Sequence, residues 1–202
     1  MKRMITVAAL AAATLSTLAF AQANKDAEAV QAGSYALDTA HTLVDFSVSH
    51  FGINDYFGTF PGATGTLAID PKNLAATKLD VSLPVATLST TNAKLDQELV
   101  GPDWFDAGKF PAIRFVSTKV TRTGKDTATI AGDLTLHGVT KPAVLTATFN
   151  AAATNPMKKV YTLGFKATGV IKRTDFGVSK FAPMIGDEVT LTITAAFEKT
   201  GG

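Results

Sequence analysis

Cysteine is absent from this chain of 202 residues. That excludes disulfide staples, thiolate nucleophiles and cysteine metal sites, so stability has to come from an apolar core. Histidine is nearly absent too. His41, His50 and His137 are too scattered to form a metal signature. No Gly-x-Ser-x-Gly elbow occurs, and no Ser/His/Asp order rises above chance. Basic clusters are missing, which removes the electrostatic footprint of nucleic-acid binding. Interior Pro-rich or Gly/Ser-rich linkers and internal repeats are missing as well, which leaves one domain.

What is present begins with a leader. Met1-Lys2-Arg3-Met4 is a short positive end, and Ile5 to Phe20 follows without a charge. Ala19-Phe20-Ala21 is a small-x-small cleavage site, with Ala21-Gln22-Ala23 as a second choice. In that order these are the parts of a secretory signal peptide, here residues 1–21. The apolar run of about 16 residues is short of the ~20 that cross a bilayer as a helix, and no membrane span is expected. With no Cys after the cleavage site, a lipoprotein anchor is excluded. The expected compartment is the periplasm. Lys2 and Arg3 leave with the leader, so the 17 acidic residues face an equal number of basic ones and the mature chain is neutral. Residues 22–33 read as a loose, Ala-rich lead-in to a domain over 34–199.

Beyond Gly33 the apolar residues recur every second position. Val44, Phe46, Val48 and His50 share one face against Asp45, Ser47 and Ser49. Leu79, Val81, Leu83 and Val85 do the same, as do Leu163, Phe165 and Ala167, and Val189, Leu191, Ile193 and Phe197. This is the signal of strands buried on one side. Turn residues separate eight or nine of them: 35–38, 43–51, 57–69, 78–85, 112–121, 127–137, 142–153, 159–172 and 187–198. Short sequential connections favour an all-β, up-and-down antiparallel barrel or a sandwich. One stretch, Thr91 to Phe110, breaks the alternation. Asn92 is a good N-cap, and Leu95 and Leu99 lie on one helical face, so a short helix is expected near 92–100. Trp104, Phe105 and Phe110 follow in a connection, as a lid or as a core cap.

An ordered series of short motifs carries a resemblance. It runs from Tyr35-x-Leu37-Asp38-x-x-His41-x-x-Val44-x-Phe46-x-Val48-x-His50 through Gly58-Thr59-Phe60 and Gly65-Thr66-Leu67. Next come Thr91-Asn92-x-x-x-Asp96-x-x-Leu99, Asp103-Trp104-Phe105 and Phe110-Pro111. Gly132-Asp133-Leu134-Thr135-Leu136-His137-Gly138-Val139-Thr140-Lys141-Pro142 is the most specific, and Arg173-x-Asp175-Phe176-Gly177 and Gly186-Asp187-Glu188-Val189 close the set. Together they resemble the YceI-like family of periplasmic polyisoprenoid-binding proteins over about residues 35–198. The resemblance implies an eight-stranded, lipocalin-like barrel with an elongated apolar interior. The implied ligand is a polyprenyl chain of quinone or prenyl-phosphate type, or a fatty-acid derivative. Family members are often dimers, so a homodimer is a further expectation. The family often has a basic residue before the helix Asp and a His two residues after it. Here Leu95 and Glu98 stand there, which speaks against a pyrophosphate head group.

The expected ligand-binding residues are Phe46, Val48, His50, Phe60, Trp104, Phe105, Phe115, Phe165, Arg173 and Phe176. No cofactor, metal or catalytic residue is expected. His50 is a head-group contact or a satisfied core histidine, and the core reading is favoured. His41 is favoured as a structural partner of Asp38, and Arg173 as an ion-pair partner of Asp175, with contact to an anionic head group as the alternative. His137 sits in a turn, where exposure is the default. Small inward positions (Ala63, Gly65, Gly132, Ala147, Ala167, Gly169) either leave a channel or fill the taper of the barrel. Two rivals remain: an enzyme acting on an isoprenoid with His50 or His41 as base, and an envelope stress or structural protein with a solid core.

Overall fold

A computed structural model describes residues 23–201. The expected leader, residues 1–21, lies outside them. Ten antiparallel strand segments form one sheet: β1 (Gly33–Leu37), β2 (Leu43–His50), β3 (Asn54–Phe60), β4 (Thr64–Ile69), β5 (Lys78–Pro84), β6 (Ala112–Arg122), β7 (Thr127–Leu136), β8 (Val139–Thr154), β9 (Tyr161–Lys172) and β10 (Ile185–Thr200). They make eight staves, because β1 with β2 and β3 with β4 are each one stave broken by a kink. β10 closes the circle. One of its edges pairs along β9, and the other pairs with both β2 and β1. The result is a closed eight-stranded antiparallel barrel in up-and-down order.

Each broken stave has a local cause. At Pro61-Gly62 the chain lacks an N–H and then takes φ +83° at Gly62, a conformation glycine adopts without strain. The expected single strand 57–69 is therefore two, β3 and β4, and β3 begins earlier, at Asn54. Between β1 and β2 sits a single 3-10 turn, Thr39–His41. The Asp38 carboxylate accepts the Ala40 N–H at 3.1 Å, and it meets His41 Nδ1 at 2.8 Å and Lys158 Nζ at 3.0 Å. Asp38 N–H donates to Ala196 O, and Ala196 N–H donates to Thr42 Oγ1, so the kink stays stitched to β10.

Below the kinks, β4 pairs with β1 and β5. Above them, β3 pairs with β2, and its other side meets the segment 85–111 through the Thr59–Ser89 bridge. That segment holds the helix α1 (Ala93–Leu99), with the Asn92 side chain accepting the Leu95 N–H as its cap. Asp96 reaches back to accept Thr90 N–H and Oγ1–H, both at 2.6 Å. At the opposite end, residues 24–30 are ordered rather than loose. Asn24 exchanges two backbone hydrogen bonds with Ala152, Asp26 caps a 3-10 turn, and Val30 is buried in the core. An apolar Val that can be covered, and a β8 edge that needs a partner, outweigh the polar composition of this stretch.

Burial by itself would raise the Asp38 pKa. Hydrogen bonds from Lys158, His41 and Ala40 outweigh it and hold the group at about 2. An unfolded Asp titrates at about 3.9, so this carboxylate stabilises the fold above about pH 4, and the contribution is lost as pH falls through about 2. Asp38→Asn is expected to cost about 1–3 kcal/mol at pH 7. The cost should shrink between about pH 4 and 2, a convergence that thermal unfolding of both proteins across that range reads directly.

Candidate ligand-binding tunnel

The inward set of every strand faces one apolar space, a cavity of about 510 Å³. This is within the roughly 300–1,000 Å³ typical of small-molecule sites. Leu67, Leu79, Val81, Leu134, Leu145, Leu191 and Ile193 form the middle of its wall. Ala27, Val30 and Leu74 form the floor, with Arg122, Lys125 and Asp126 of the β6–β7 turn beside them. His50, Tyr56, Leu95, Glu98, Trp104, Arg173 and Phe181 gather at the top. A space of this size lined by hydrocarbon holds water poorly, because bound water needs two to four polar partners.

Aromatic rings leave room for it by lying against glycine backbone. A Cβ at Gly58 would stand 2.3 Å from Phe46 Cζ, and one at Gly132 would stand 2.4 Å from Phe115 Cζ. The two rings thus occupy space that side chains on β3 and β7 would otherwise fill. Phe46 also packs on Phe60, which meets Phe105 edge-on at 5.7 Å. Deeper in, Phe165 packs between Phe149 and Phe197. Ala147 and Ala167 face each other across β8 and β9 and both line the cavity, so the small inward residues do two jobs.

Nine of the ten residues expected from the sequence line this space: Phe46, Val48, His50, Phe60, Trp104, Phe105, Phe115, Phe165 and Arg173. Phe176 is buried in the 3-10 turn Arg173–Phe176 but is not part of the cavity wall. Its carbonyl instead meets His137 Nδ1 at 3.2 Å, and the His137 ring packs on Phe110 at 4.7 Å. The turn histidine is therefore engaged, pinning the β7–β8 connection to the 173–176 turn.

Arg173 is held differently from the sequence expectation. Its guanidinium donates to four backbone carbonyls, those of Gly186 (2.8 Å), Val178 (2.7 Å), Lys180 (3.0 Å) and Ile185 (2.7 Å). The buried cation thus cross-links the loop 173–185 in place of pairing with Asp175. The planar fork of donors suits this work, and burial lowers its pKa. Asp187 takes the other half of the junction by accepting the Thr174 N–H at 3.0 Å. Trp104 lies between Arg173 and Lys180, each 5.7 Å from its ring, and donates to Glu98 Oε1 at 3.2 Å. Lys180 in turn bonds Asp103 at 3.0 Å. His50 packs edge-on against Phe51 at 4.5 Å and beside Tyr56. Leu95 and Glu98, which depart from the resembled pattern, both face the cavity. The floor residues Ala27 and Val30 had no periodic signal to reveal them.

Comparison with known proteins gives a consistent likeness. The model of the YceI-like domain matches residues 35–197. A UPF0312 protein of Pseudomonas savastanoi is 38% identical over 187 residues, covering 92% of this chain and 95% of its own. A UPF0312 protein of Pseudomonas fluorescens is 41% identical over 171 residues, covering 81% and 86%. Among solved structures, BcnA of Burkholderia cenocepacia superposes with a TM-score of 0.72 at 22% identity, covering 79% of this chain and 98% of that one. The YCEI protein of Campylobacter jejuni gives 0.68 at 28% identity, covering 76% and 90%. A polyisoprenoid binding domain from Saccharophagus degradans gives 0.63 at 12% identity, covering 84% and 100%, a likeness of fold.

Two glycine variants separate the roles of ring and backbone. In Gly58→Ala the nearest atoms to the new methyl all belong to the Phe46 ring, so the ring should swing into the lumen with little loss of stability. In Gly132→Ala the Val116 carbonyl stands 2.6 Å away as well, and the cost should be about 1–3 kcal/mol. Crystal structures and thermal unfolding of the pair check both outcomes. Arg173→Lys should fail to rescue, losing roughly 2–4 kcal/mol because one ammonium cannot serve four carbonyls.

Proposed function

Because the chain belongs to the YceI-like family, we propose that it is an exported binding protein or carrier, working in the periplasm, that holds a polyisoprenoid or related long apolar chain inside the barrel. The single observation that supports this most is the hydrocarbon-lined cavity running from the Val30 floor to the His50–Trp104 end. A protein with a solid core would not keep that space, since interiors normally close-pack. Each methylene buried there contributes up to about 0.8 kcal/mol, so a few isoprene units offset the cost of ordering the chain. The solved polyisoprenoid binding domain of Saccharophagus degradans supports the same class of ligand.

The polar groups at the top favour a neutral head. Arg173 spends its donors on loop carbonyls. Glu98 adds a carboxylate to the same end of the wall, which disfavours a pyrophosphate there. Tyr56 and His50 offer hydrogen bonds that suit a quinone carbonyl or a prenol hydroxyl. The base that an enzyme reading would call on is engaged: His50 packs against two aromatic rings. We read the protein as a carrier and not as an enzyme.

Native mass spectrometry of protein purified from its own envelope should show a bound prenyl chain or fatty-acid derivative, together with the subunit number. Protein that neither retains nor rebinds such a chain would overturn the reading. Ala167→Trp should fill the lumen and reduce binding of a soluble prenyl probe by about tenfold or more while the far-UV spectrum stays that of the barrel.

A further inference from the structure

Apolar side chains exposed to solvent are concentrated at the top of the barrel. Phe51 (54% exposed) and Ile53 (84%) form the tip of the β2–β3 hairpin, with Phe57 (66%) outward on β3 below them. Phe181 (50%) and Met184 (53%) stand on the loop between the 173–176 turn and β10. The two tips are tied together, since Phe51 N–H donates to Met184 O at 2.8 Å and His50 pairs with Ile185. Phe181 and His50 also line the cavity, so this collar borders the mouth itself. Isolated exposed apolar residues need no explanation, but a contiguous group does.

We infer that this collar is a membrane-docking surface: it dips into the interfacial region of a lipid bilayer and brings the mouth of the tunnel against the acyl chains. The inference rests on the carrier reading above and adds the place where the ligand is exchanged. Shape decides against a second copy of the chain as the occupant, because four of the five residues project from two turn tips instead of lining a groove or a flat face.

Charge decides the kind of bilayer. Across residues 50–57 and 181–186 the one charged side chain is Asp55, exposed on β3. The cations beside the collar are engaged: Arg173 is buried on the carbonyls of Ile185 and Gly186, and Lys180 is held by Asp103 at 3.0 Å and faces Glu98 at 3.6 Å. A collar with no free cation gains nothing from anionic lipid and is not repelled by a zwitterionic one, so attachment is driven by apolar burial and tolerates salt. It is also shallow and reversible, as a carrier that must leave again requires. An apolar chain then moves between bilayer and lumen without crossing water, which removes the cost of exposing it to water on extraction.

Flotation with phosphatidylcholine vesicles tests this, with Trp104 as an internal reporter. It is the only tryptophan in the sequence and lies 6.1 Å from Phe181. The full chain should float with the vesicles, its Trp104 emission should shift to the blue, and added salt should change neither. Ile53→Asp combined with Met184→Asp should reduce the bound fraction about tenfold. Neither residue lines the cavity, so binding of a soluble prenyl probe should be unchanged. Wild-type protein that binds the probe but ignores vesicles overturns the docking surface alone, whereas protein that binds no probe overturns the carrier reading. Equal flotation of the variant and the wild type, or a concentration-dependent dimer abolished by the same two substitutions, also overturns docking.

Discussion

A hollow apolar lumen can exist only if the wall around it satisfies its own hydrogen bonds, and in this chain that condition is met along β10. This one strand pairs with β9 over its length and with both halves of the first stave on its other edge. Wherever the ladder is interrupted, a specific group takes over. Thr42 Oγ1 and Asp38 serve the kink in β1–β2, and Ser89 serves β3. With the backbone accounted for, inward positions are free to be hydrocarbon, and Thr59 Oγ1 and Thr77 Oγ1 are the buried side-chain groups left without a partner among the described residues.

Openness then depends on where bulk is placed. An eight-stranded barrel is just wide enough to be filled by its own side chains. Here Phe46 and Phe115 lie on the backbone of Gly58 and Gly132. Large residues therefore build the wall while the axis stays clear. The upper end is organised by charge buried in the service of structure. Arg173 ties its loop through four carbonyls, and its guanidinium and the Lys180 ammonium flank the Trp104 indole.

Most of this was legible in the sequence for a physical reason. Strand alternation is local, so the inward faces read from Val44–His50, Leu79–Leu83 and Val189–Phe197 are the faces that line the cavity. The Asn92 cap and the Leu95/Leu99 pair announced the helix for the same reason. What stayed hidden depends on contacts between distant residues. Nothing near Asn24 says that β8 lies beside it. Nothing near Arg173 says that four carbonyls converge there and that Asp175 is not its partner. Phe176 looked like a wall residue because it is aromatic and sits at a strand end, yet the turn that carries it faces His137. His137 itself looked exposed because turns usually are.

The floor of the barrel has a consequence for assembly. Asn24 finds its pair in Ala152, and β1 meets β10 near the far end of the chain. The first part of the domain to be synthesised is therefore among the last to be completed. Such long-range closures make folding slow and leave sheet edges bare until the C-terminal strand arrives. The floor and the seam are separate closures: Asn24 needs only β8 to find its partner, whereas the barrel cannot be sealed before β10 exists to span β9 and the first stave.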